Sequence, residues 1–211
     1  MDWLFNIGRC RSGKHRKEVE EDRYCGRTNN GHLVHRITKE KIKATVPLPV
    51  GVEIHEWLAT NTLSFFTNIK LMYESLQAYC TPVACNTVFT SATINFVWAD
   101  NGKKAKLTAP EYIDIIIIRI EKYLTDEAVF PTRYDRYFPQ DFFDVVKKIF
   151  RMMFHILLHI YQSHQNHIVE FEELETANTV LTHFMLFQRE HNLMATPDIR
   201  LLEDLVRNMS L

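Results

Sequence analysis

"DFFDVVKKIFRMMFHILLHIYQSHQNH", residues 141–167, is the stretch whose reading decides the fold. From Asp141 to Ser163 apolar side chains fall on every side of a helical projection: Phe142, Val145, Val146, Ile149, Phe150, Met153, Phe154, Ile156, Leu157 and Ile160. A surface helix carries a single apolar stripe, whereas a helix apolar all round must be enclosed by others. These residues therefore predict the central helix of a bundle. Arg and His interrupt the run, and "IDIIIIRI" (113–120) is short, so neither segment is a bilayer span.

The neighbours of the central helix follow from caps and periods. Downstream, a second long helix is expected from about Ile168 to Glu190, and a last one from Pro197 with Thr196 as N-cap. Upstream, "FPTRYDRYFP" (130–139) is a Pro-bounded loop. Before it, Thr108, Pro110 and Glu111 mark a capped helix start running to about Leu124. Alternation through Ile94, Phe96 and Trp98, then Asn101-Gly102, then Lys104 to Leu107, predicts a β-hairpin. Further upstream, Ile54, Trp57, Leu58, Phe65, Ile69, Met72 and Leu76 recur at three- and four-residue steps, the pattern of a long amphipathic helix. Pro82 prevents its continuation past Cys80. The fold class is mostly α, a helical bundle with one small β-hairpin.

The 211 residues suffice for one core. Residues 1–44 read as a flexible charged extension, with Arg9, Arg11, Lys14, Arg16 and Lys17 followed by Glu18, Glu20, Glu21 and Asp22. Residues 45–211 form the helical domain. A net charge of -1 offers no global field for nucleic acid. The opening residues do not have the order of a signal peptide, so the thiols are expected to stay reduced and a structural disulfide is not expected.

Cys80 and Cys85, in "YCTPVAC" (79–85), stand five positions apart. Thiolate sulfur and imidazole nitrogen are the donors that structural zinc takes in fours. The second pair must be histidine, and His155, His159, His164 and His167 all crowd the end of the central helix. Spacing leaves the choice open. His155 and His159 share a helix face, while His159 and His164 lie about 140° apart on a regular helix and converge only if the helix ends between them. Ser163 and Gln165-Asn166 allow such an end. No H-E-x-x-H, phosphate-binding or nucleophile-elbow motif is present. Two other classes compete with a structural role for the metal. One is a zinc-dependent hydrolase with an open coordination position, and the other is a phosphopeptide-binding module.

Several long segments resemble the Mob family of kinase-activating adaptors: "LPVGVEIHEWLATNTLSFF" (48–66), the cysteine pair, "FVWADNGKKAKLTAPEYID" (96–114), "DEAVFPTRYDRYFP" (126–139), "HIYQSH" (159–164) and "THFMLFQREHNL" (182–193). "MDWL" (1–4) and "IFRMMFHILLHIY" (149–161) are most similar to the second subclass, partners of NDR-type AGC kinases. The resemblance implies a structural zinc held by Cys80, Cys85, His159 and His164, with no catalytic activity. It implies a monomeric adaptor that binds the basic N-terminal extension of an NDR-type kinase, in the cytoplasm and nucleus. The implied partner surface includes Glu53, Glu56, Trp57, Thr60 and Ser64, with Val52 and Ser64 standing where the first subclass carries acids. The first subclass also binds phosphopeptides. The matching positions here are Arg151, Met152 and His155, so docking at that site is expected to be weak or absent. Cys10 and Cys25 have no match and read as free thiols.

Overall fold

The computed structural model describes residues 39–86, 97–100, 103–133, 135–195, 198 and 200. Its elements are α1 (Lys39–Ala44), α2 (Ile54–Leu76), β1 (Val97–Asp100), β2 (Lys103–Lys106), α3 (Ala109–Thr125), α4 (Phe142–Ser163), α5 (Gln165–Glu170) and α6 (Leu174–Glu190). Helix α4 is the centre: its residues from Met153 to Tyr161 are buried without a break. Helices α2, α3 and α5 lie against it, and α6 crosses α2 and α1. Helix α2 turns Leu58, Phe65, Phe66, Ile69, Tyr73 and Leu76 inward, the face its period predicted.

A ring cluster joins three of these helices. Phe150 of α4 stacks on Phe184 of α6 at 5.1 Å, and Phe65 of α2 meets Phe150 edge-on at 5.8 Å and Phe184 at 5.7 Å. Each fully buried ring contributes about 1.5–3 kcal/mol through apolar area alone. Phe187, which closes the cluster at 5.3 Å from Phe65, also lies against Trp57 at the start of α2.

Two expectations need correction. The helix expected from Ile168 to Glu190 is two helices, because the chain reverses at Glu172 with φ 58° and restarts at Leu174. In addition, α1 lies inside the stretch assigned to the extension. Ile42 is buried there, and α1 packs on α6. One large apolar residue in a six-residue helix sets no period that could stand out among charged neighbours. Strands β1 and β2 pair antiparallel, with Val97 opposite Lys106 and Asp100 opposite Lys103. Asn101-Gly102, Ile94 and Phe96 lie outside the described residues, as do Thr196, Pro197 and residues 1–38 with Cys10 and Cys25. No helix among the described residues is long and apolar enough to cross a membrane.

Candidate metal centre

The four residues come from two places. Helix α2 ends at Leu76, and Cys80 is held by its N–H bonding back to the Leu76 carbonyl at 3.1 Å. The loop then closes on itself through Cys85 N–H to the Thr81 carbonyl at 2.8 Å. It is tied to α3 where the Ala109 N–H donates to the Cys85 carbonyl at 3.2 Å. On the other side, His159 sits on the last turns of α4, and His164 is the break between α4 and α5, at φ −127° and ψ 14°. That non-helical residue overcomes the angular mismatch, since one regular helix could not turn both rings to one point.

The donor atoms converge. Cys80 Sγ lies 3.1 Å from His159 Nε2, Cys85 Sγ lies 3.5 Å from His164 Nε2, and the two Nε2 atoms are 3.1 Å apart. All four atoms lie within 4.8 Å of one another, and all four residues are buried. Donors at the corners of a tetrahedral zinc site stand roughly 3.3–3.8 Å apart, from bond lengths of about 2.0–2.3 Å. The two-sulfur, two-imidazole set therefore fits a metal ion in both chemistry and spacing. His155, also buried, faces elsewhere, its Nδ1 2.8 Å from the Tyr112 hydroxyl.

Burial also sets the charge state. It pushes the Cys80 thiol up to about 12, a hydrogen bond from Tyr73 opposing the rise and the neighbouring Cys85 adding to it. It lowers His159 to about 4, helped by the proximity of His164, and lowers His164 with help from His167. Cys80 is thus a thiol and both imidazoles are neutral until a cation arrives to favour ionised sulfur. Tyr73, which motif reading passed over, donates to Cys80 Sγ at 3.7 Å. Its signal was only that of one more apolar-face residue on α2.

The residues of the expected partner face lie around the first half of α2. Glu53 is the N-cap, its carboxylate accepting from the N–H groups of His55 at 2.7 Å and Glu56 at 3.1 Å. Slight burial works against ionisation, but those amides and the His55 ring hold the carboxyl below its usual range. Glu56, Thr60 and Ser64 are exposed. Trp57 is half-buried, with its Nε1 shut from solvent and without a hydrogen-bond partner, so much of this ring is packing. Of the phosphopeptide positions, Arg151 is exposed and 3.5 Å from Asp198, while His155 is buried.

A family model described as Mob1/phocein matches residues 34–202. The chain belongs to the Mob1/phocein family. The human protein called MOB kinase activator 2 is 37% identical over 205 residues, covering 97% of this chain and 86% of that protein. MOB kinase activator-like 1A of Arabidopsis thaliana is 34% identical over 209 residues, covering 98% and 97%. MOB kinase activator-like 1 homolog B of Dictyostelium discoideum is 37% identical over 172 residues, 80% of each chain. The Mob1/phocein match thus takes in both halves of the cysteine–histidine group and all of α2.

Proposed function

We propose that this chain is a non-catalytic adaptor that binds the N-terminal regulatory region of an NDR-type AGC serine/threonine kinase and modulates its activity. The observation that carries the reading is the similarity, along nearly the whole chain, to a protein named as a MOB kinase activator. The exposed acids at the start of α2 support it, because they complement a basic kinase extension. The metal is zinc, held by Cys80, Cys85, His159 and His164; when bound, it supplies a cross-link whose binding energy is folding energy. Four protein donors complete a tetrahedron, which favours a structural site over the hydrolase reading. The cysteine loop fastens the C-terminal end of α2 to α4, so the helix that offers Glu56 is anchored at its far end. With His155 buried against Tyr112, Arg151 alone makes a poor phosphate clamp, and phosphopeptide docking is weak or absent. The adaptor is monomeric when unbound and acts in the cytoplasm and nucleus.

Co-purification with the N-terminal segment of an NDR-type kinase tests the partner. Wild-type chain should retain the segment, and Glu56→Lys should weaken binding about tenfold, the equivalent of about 1.4 kcal/mol. Undiminished binding by a folded Glu56→Lys chain would reject this surface. Preferential retention of LATS-type segments would reject the NDR assignment.

A further inference from the structure

The outer side of the metal group holds two buried nitrogens without hydrogen-bond partners: Nδ1 of His164 and Nδ1 of His167. His164 turns Nε2 toward His159 and Cys85. A neutral imidazole that ligates through Nε2 carries its proton on Nδ1, so that atom becomes a buried donor in need of an acceptor. Metal-ligating histidines almost always give this second N–H to a carboxylate, a carbonyl or water. No carboxylate or carbonyl among the described residues takes it here.

His167, three residues on, carries the other of these two nitrogens. Its ring centre is 5.5 Å from that of His164. Two imidazoles joined by an N–H···N bond have centres about 5 Å apart, close to the separation of this pair. His167 is steadied by Tyr79 at 4.4 Å and Phe171 at 6.5 Å. Tyr79 immediately precedes Cys80, so this stack presses the cysteine loop and the histidine turn together.

We infer that His167 is a positioning residue of the metal centre: its Nδ1 accepts the Nδ1–H of His164 and fixes that ring with Nε2 toward the metal. The inference rests on the Cys₂His₂ reading above. It accounts for both unpartnered nitrogens with a single bond.

Zinc affinity measured by competition with a chromogenic chelator tests it. His167→Phe keeps an aromatic ring beside Tyr79 but has no acceptor, and should bind zinc about tenfold or more weakly. His167→Asn places a carbonyl near the lost nitrogen, and should stay within about threefold of wild type. Equal affinity of His167→Phe and wild type would overturn the inference, and so would an Asn variant as weak as the Phe variant. In zinc-loaded wild type labelled with nitrogen-15, a scalar coupling should join His164 Nδ1 to His167 Nδ1, a readout independent of variant folding. Its absence would also overturn the inference. Failure of the wild-type chain to take up zinc is a different result, and rejects the Cys₂His₂ reading itself.

Discussion

Four histidines crowd "FHILLHIYQSHQNH" (154–167), and their roles separate only through their partners. His155 shows this most clearly. Burial, with Arg151 nearby, lowers its pKa to about 3, and its ring is bound to the Tyr112 hydroxyl. The folded value lies below the unfolded one, so the unfolded chain takes up the proton first. The stability this residue contributes is complete above about pH 6.5 and is lost as the pH falls toward 3. In histidine-selective NMR titrations, His155 should stay neutral down to about pH 4. A midpoint near 6.5 would contradict its enclosure and restore it as a cation for phosphate. The sequence supplied the residue types at this scale, but burial and neighbours assigned the work.

The helices themselves were more legible, because caps and periods are local. At the start of α3 the Glu111 carboxylate accepts from the Thr108 N–H at 2.8 Å and its hydroxyl at 2.7 Å. Glu111→Ala removes both bonds and should lower the urea midpoint of unfolding. No measurable change would mean that the pair is fully replaced by water. The end of α6 was equally readable. Asn192 takes φ 52° there, and the Leu193 N–H reaches the Gln188 carbonyl at 2.9 Å. Asparagine favours this left-handed end. The break between α5 and α6 uses the same bond pattern, with the Glu173 N–H donating to the Ile168 carbonyl at 3.0 Å. Here Glu172, and not glycine or asparagine, takes the positive φ, so composition carried no stop signal.

Across the whole molecule, the cysteine loop and the histidine turn are 79 residues apart in sequence for each of the pairs Cys80–His159 and Cys85–His164. An ion bridging them would close a long loop and draw α2 onto α4, while the Phe65–Phe150–Phe184 cluster holds the same helices by packing alone. Stripping zinc with a strong chelator should therefore leave helical circular dichroism largely intact yet lower Tm by about 10 °C or more, since a few kcal/mol move a chain of this size by that much. An unchanged Tm in protein shown to have lost its zinc would dismiss the structural role. The sequence by itself determined the helical class, the buried centre of the bundle and the ends of α3 and α4, because periodicity and capping act over a few residues. It also offered the sulfur and nitrogen donors. Which donors meet was decided only in three dimensions: convergence depends on where α4 breaks at His164 and on a loop returning from α2, and no short-range pattern encodes a distance between segments so far apart in the chain.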